Sequence, residues 1–190
     1  MGYVYVPKHD YQLGPGSGPT GRYDCTAWSC SMAIDRATMG GTQITGRQVR
    51  LASNEPIPDP SSPGLNLNQV VNVAFKLHVE LENRTGAPYS AMVAALREGR
   101  GVILQGDYDQ IPAEYSGQLT FKGDHAVYLN HLDNTGKRVW WMDPINRKGG
   151  FYIPLTVARA YAEDFAKAVK RYPGLLFATT RPTPKLDVAQ

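Results

Sequence analysis

Cysteine is scarce in this chain: of 190 residues only Cys25 and Cys30 carry a thiol. In a helix, five residues turn through about 140°, which leaves the two on nearly opposite sides and outside the narrow geometry of a disulfide. Nor do two thiols and four scattered histidines match the spacing of a zinc site. Both cysteines are therefore expected to be reduced, and neither a metal nor another cofactor is expected. Long hydrophobic runs are missing too. None approaches the roughly 20 residues that cross a bilayer, and residues 1–20 lack the basic and apolar regions of a signal peptide. Charge of one sign is also lacking. Twenty Lys and Arg stand interspersed with 17 Asp and Glu, with no basic stripe interleaved with aromatics, so nucleic acid is not an expected partner. The run Gly14-Pro15-Gly16-Ser17-Gly18-Pro19-Thr20-Gly21 has no Gly-Lys-Ser/Thr ending and reads as a connector rather than a phosphate loop.

What is present fits one globular domain, with 42% hydrophobic and 19% charged residues. Residues 1–22 are expected to form a short β-prone strand (Tyr3-Val4-Tyr5-Val6) and the Gly/Pro-rich loop. Residues 23–180 form the domain, and residues 181–190 form an extended tail that stays ordered only if a partner holds it. Within the domain, a largely apolar helix starts near residue 25 and stops at Gly40-Gly41. Residues 42–64 read as a long connection whose proline run, from Pro56 to Pro63, excludes regular structure there. Asn66 with Gln69 makes a capping-box pattern at the start of a second helix. A strand near residues 79–82, a helix over 89–98 and an apolar strand at Val102-Ile103-Leu104 follow. Residues 107–122 are irregular. Strands over 125–132, 138–142 and 151–153, a helix over 155–172 and a last strand over 175–178 complete the pattern. Helices first and an antiparallel sheet later is an α+β arrangement.

The stretch Asp24-Cys25-Thr26-Ala27-Trp28-Ser29 puts a thiol in the first turn of a helix. Unpaired N–H groups and the positive end of the helix dipole stabilise a thiolate there. A hundred residues later, Asn134-Thr135-Gly136 suits a three-residue hairpin loop with glycine in the left-handed position. Pairing Asp133 with Lys137 sets Val127 opposite Asp143 and makes His125 and Asp143 diagonal neighbours, within reach of each other. An imidazole oriented by a carboxylate is the base of a nucleophilic triad, and Cys25 facing it completes a Cys-His-Asp site.

These motifs, with Asp124-His125-Ala126-Val127-Tyr128-Leu129 opening one strand and Trp141-Met142-Asp143-Pro144 closing the next, resemble the papain-like cysteine peptidases of the bacteriocin-processing type. The resemblance is to the divergent form found in bacteriophage and actinobacterial proteins, and it covers about residues 23–179. It implies a papain-like fold, with the cysteine at a helix N-terminus packed on an antiparallel sheet that carries the histidine and the acid. It also implies that Cys25 is the nucleophile, His125 the base and then the acid, and Asp143 the orienting residue. Peptide or amide bonds would be hydrolysed, those of peptidoglycan among them. A virion-associated or cytoplasmic location follows, with other virion proteins as the partners that hold the termini.

Two positions depart from that family. It carries a glutamine about six residues before the cysteine to help bind the oxyanion, and here Pro19 stands in that place. Gln12, further upstream, takes the role if the glycine-rich loop folds it back. Asp24 puts a carboxylate beside the nucleophile, which disfavours the thiolate unless the side chain turns away to cap the helix. The second reading is therefore a structural tail or capsid component that keeps the fold without turnover. A cell-wall peptidase of the Asp-Cys-Ser-Gly type fits less well, because Thr26-Ala27 replaces the Ser-Gly. Among other residues, His131, His78, Trp28, Trp140 and Trp141 are expected to be structural, and His9 sits in a loop. Tyr108, Asp109 and Tyr115 are placed where they can line a cleft.

Overall fold

The first helix is buried almost all round. In the computed structural model, which describes residues 4–14, 23–56, 64–116, 121–169 and 174–182, α1 spans Cys25–Ala37, and every residue from Thr26 to Arg36 is inside. It is followed by α2 (Gly46–Ser53), α3 (Leu67–Lys76), β1 (Leu81–Asn83), α4 (Tyr89–Arg97) and β2 (Val102–Asp107). A 3₁₀ turn at Tyr108–Gln110 precedes β3 (Asp124–Leu132), β4 (Arg138–Met142), β5 (Gly150–Pro154), α5 (Leu155–Val169) and β6 (Phe177–Thr180). The six strands form one sheet in the order β1-β6-β2-β3-β4-β5, antiparallel at every pairing. Helices cover both faces. Trp28, Ile34, Val70, Ile103 and Tyr128 fill the side of α1 and α3. Leu104, Val127, Leu129, Trp141 and Tyr161 fill the side of α4 and α5. Burial on both faces explains why Ala126 to Leu129 reads as an unbroken apolar run rather than an alternating one.

Two local expectations fail. Residues 4–6 are not in the sheet, although they are β-prone. Side chains replace the ladder: Arg36 Nη1 donates to Tyr5 O at 2.7 Å, Asn130 Nδ2 donates to it at 3.0 Å, and Tyr5 OH donates to Asp35 at 3.1 Å. The connection over 42–64 contains α2, which opens on a capping box. Gln48 N donates to Thr45 Oγ1, and Thr45 N donates to Gln48 Oε1 at 2.8 Å. Its polar sequence hides a single buried apolar side chain, Val49, and a glycine, Gly46, packed so close to the Trp28 ring that a Cβ would overlap it. The expected box at Asn66 and Gln69 is present at α3. The Gly/Pro connector at 15–21, most of the proline run and the tail at 183–190 lie outside the described residues.

The hairpin register holds at the end that matters. Tyr128 pairs with Met142 and Leu129 with Trp141, the alignment expected from the sequence, yet the turn closes from Asp133 N to Arg138 O at 2.9 Å, one residue later than expected. A bulge between Leu129 and Leu132 absorbs the difference.

α2 also anchors the start of α1. Arg50 Nε donates to Asp24 Oδ2 at 2.5 Å, and neither side chain has meaningful exposure. Leu65 N donates to the other oxygen at 3.0 Å. Removing one member of such a pair strands the other in the interior. The Arg50→Leu variant should lose about 3–5 kcal/mol of stability, measured as a shift of the urea midpoint, and an unchanged midpoint would rule out this anchor.

Candidate active site

Cys25 occupies the first position of α1, and Asp24 precedes it as the N-cap residue without a side-chain capping bond. The Asp24 carboxylate turns instead to Arg50 and Leu65. It turns away into an ion pair rather than into a cap. Burial pushes the Asp24 carboxyl above its usual range, against the pull of the Leu65 amide and the Arg50 guanidinium. No side chain caps the first-turn amides of α1, and the Ala27 amide donates to Asp24 O at 2.9 Å. Ala126 N donates to Cys25 Sγ at 3.1 Å, which ties the sulfur to β3. Cys25 is half-buried, whereas Cys30 is fully enclosed and approaches Val70 O at 3.7 Å. Burial, reinforced by the Asp24 charge, pushes the Cys30 thiol far up and keeps it protonated. Both cysteines are free.

His125 Nε2 lies 2.8 Å from Asp143 Oδ1, and neither side chain is exposed to solvent. Asp143 is held on both oxygens: Tyr108 OH donates to Oδ2 at 3.1 Å and Ile145 N to Oδ1 at 2.9 Å. Tyr108 and Phe121 present their rings edge-on to the imidazole, with centroids 5.1 and 5.3 Å from it. Behind the strand, Tyr161 OH donates to His125 O at 2.5 Å. Nδ1 is buried and has no hydrogen-bond partner of ordinary length among the described residues. Burial alone would lower the imidazole's pKa. The Asp143 carboxylate and the Cys25 sulfur outweigh it and raise the value to about 10.

Against this geometry, comparisons with known proteins are informative only at the level of structure. No family model matches the sequence, and no curated protein matches it. A crystal structure described as a C39-like peptidase from Bacillus anthracis superposes with a TM-score of 0.65 at 14% identity, covering 97% of this chain and 98% of that one. The peptidase domain of Streptococcus ComA, a bifunctional ABC transporter of a quorum-sensing pathway, gives 0.50 at 15% identity over 95% and 99% of the two chains. The chain has the papain-like fold of the C39-type peptidases. UfSP from C. elegans matches as well, with a TM-score of 0.50 at 12% identity over 97% of this chain and 35% of that one.

Within the papain-like fold, the remaining expected residues separate clearly. Gln12 is buried; its N–H donates to Pro144 O at 2.8 Å, and its Oε1 lacks a partner among the described residues. The N-terminal segment thus folds back onto the turn that carries Asp143. Pro19 lies outside the described residues. His131 is structural: it stacks on Trp140 at 5.9 Å and pairs with Tyr152 OH at 2.8 Å, and burial together with the Arg36 charge lowers its pKa to about 4. Trp28 and Trp141 are core. Tyr115 stacks on Phe151, and Asp109 pairs with Lys122 in the open. Three neighbours of the site escape the sequence reading: Tyr161, Phe121 and His9, whose Nε2 donates to Asp143 O at 2.8 Å. A signal for Tyr161 existed. Gly106 lies opposite His125 in β2, where a Cβ would overlap the Tyr161 ring, and a glycine inside a strand marks such close approach. Among the described residues no cluster of three or more His, Cys, Asp or Glu could hold a metal, and no helix is long and apolar enough to cross a membrane.

A raised histidine pKa has a definite sign. The folded chain retains a proton that the unfolded chain releases near 6.5, so the stability it contributes is complete below pH 6.5 and lost as pH rises through 10. Unfolding temperatures measured from pH 6 to 10 should fall across that window, and the fall should be shallower in His125→Gln. Equal slopes in the two proteins would refute the assignment.

Proposed function

We propose that this protein is a cysteine peptidase or amidase that works through an acyl-enzyme. The observation that carries the reading is a half-exposed thiol at a helix N-terminus, 3.1 Å from the amide that follows a buried, acid-paired histidine. The structural neighbours described as peptidases support the same reading.

In this mechanism the Cys25 proton already rests on Nδ1 of His125, the nitrogen not occupied by Asp143, so that the sulfur attacks as a thiolate. Sγ attacks the carbonyl carbon of the scissile bond. The resulting oxyanion is received by the Cys25 N–H and by the side-chain amide of Gln12. His125 then gives its proton to the departing amine, which leaves a thioester on Sγ. A water molecule, deprotonated by the same imidazole, attacks that thioester and releases the acid and the free thiol. Asp143 orients the ring throughout, and Tyr108 and Ile145 hold Asp143. The substrate class is peptide or amide bonds. Peptidoglycan stem peptides and cross-bridges belong to it, and a peptide library assayed beside purified peptidoglycan separates the two.

Iodoacetamide tests the nucleophile without a known substrate. Cys25 should alkylate fast near neutral pH while Cys30 stays unmodified, and His125→Ala should remove the difference. Cys25 labelling no faster than a free thiol peptide, or unaffected by His125→Ala, would defeat the enzymatic reading. Once a substrate is in hand, Gln12→Ala should reduce turnover by about 10²- to 10³-fold, the cost of one oxyanion donor. A smaller effect than tenfold would remove Gln12 from the oxyanion site.

A further inference from the structure

Asp143 is the first residue after β4 and stands before Pro144, so its main-chain oxygen lies beyond the β3–β4 ladder. Two donors reach that oxygen, Asn146 N at 3.0 Å from the following turn and His9 Nε2 at 2.8 Å from the N-terminal segment. A carbonyl oxygen can only accept, so Nε2 must carry the proton. The contact spans 134 positions of sequence.

His9 is itself fixed from both sides. Lys8 N donates to Asp35 Oδ2 at 2.6 Å, on the helix that begins with Cys25. Asp10 Oδ2 accepts Gly46 N at 2.6 Å and lies 2.8 Å from Ser31 Oγ, again on α1. His9 therefore bridges the helix that carries the thiol and the turn that carries the acid. Residues 11 and 12 extend the bridge, through Arg147 Nε to Tyr11 OH at 3.0 Å and Gln12 N to Pro144 O at 2.8 Å.

We propose that His9 is a positioning residue: through the main chain of Asp143 it sets where the carboxylate meets His125. This rests on the peptidase reading of the same site. Reaction geometry is sensitive to such settings, since a displacement of about 1 Å can cost roughly 100-fold. His9 also lines a cavity of about 180 Å³, together with Asp10, Ser31, Asp35 and Ile44 among others.

The test uses the full chain and the rate of Cys25 alkylation by iodoacetamide as a function of pH. His9→Ala should slow alkylation near neutral pH by about tenfold and move the pH profile in the same direction as Asp143→Ala. His9→Gln, whose amide reaches the same oxygen, should restore both. Free imidazole added to His9→Ala should restore them in a saturable way. If Asp143→Ala slows alkylation and His9→Ala does not, the positioning role is wrong and the peptidase reading stands. If neither variant slows it, both fail. A slow His9→Ala protein that neither glutamine nor imidazole restores would make the loss structural and overturn the proposal.

Discussion

A carboxylate and an imidazole taken out of water together must satisfy one another, and the 2.8 Å contact between Asp143 and His125 sets the terms for the groups around it. Burying such charges costs on the order of several kcal/mol per ion unless the remaining lone pairs and protons are also met. Here they are met almost completely. Tyr108 and Ile145 complete the carboxylate, His9 and Asn146 share the Asp143 main-chain oxygen, and Tyr161 takes that of His125. Among the described residues one polar atom of the pair is left without a hydrogen-bond partner of ordinary length, Nδ1 of His125. The shell that makes the pair tolerable inside the protein thus also decides which nitrogen faces the acid and which does not.

The second constraint is the acid beside the thiol. Asp24 would work against a thiolate if its charge faced Cys25, and as a cap it would have occupied the first-turn amides. The ion pair with Arg50 avoids both outcomes. Arg50 comes from α2, the helix that composition disguises as a connector. The missed helix and the unexplained carboxylate are therefore one problem: the cation that draws Asp24 away, Arg50, comes with α2. Gly46 adds to this by letting α2 approach Trp28 closely enough to bring Arg50 within reach.

Local regularities carried most of what was legible. The α+β arrangement, the cysteine at the start of α1 and the neighbouring His125 and Asp143 follow from turn chemistry, glycine stops and apolar runs, all of which act over a few residues, while the papain-like fold was implied by the family resemblance of the motifs. The hairpin shows how far such reasoning reaches. Its turn is one residue longer than Asn134-Thr135-Gly136 implied, but the bulge after Leu129 returns the strands to the inferred alignment beside the site. Strand propensity failed at residues 4–6 because Arg36 and Asn130 took the Tyr5 main-chain oxygen that a ladder would have used, and Asp35 took the Tyr5 hydroxyl. Propensity describes what a segment can do, and tertiary partners decide what it does.

What stayed hidden has a common form. His9 to Asp143 O, Ala126 N to Cys25 Sγ and Tyr161 OH to His125 O each involve main-chain atoms and join residues 134, 101 and 36 positions apart. A main-chain donor or acceptor exists at nearly every residue, so such a contact leaves no mark on residue type at that end of the bond. A pair of complementary side chains marks both ends, which is why His125 and Asp143 could be matched and His9 could not. The contrast between the two cysteines follows the same logic. They lie on one helix, five positions apart; Cys25 meets a backbone amide at the domain's edge, and Cys30 meets only enclosed surroundings. Their different surroundings come from what the fold brings to each sulfur and not from the helix that carries them.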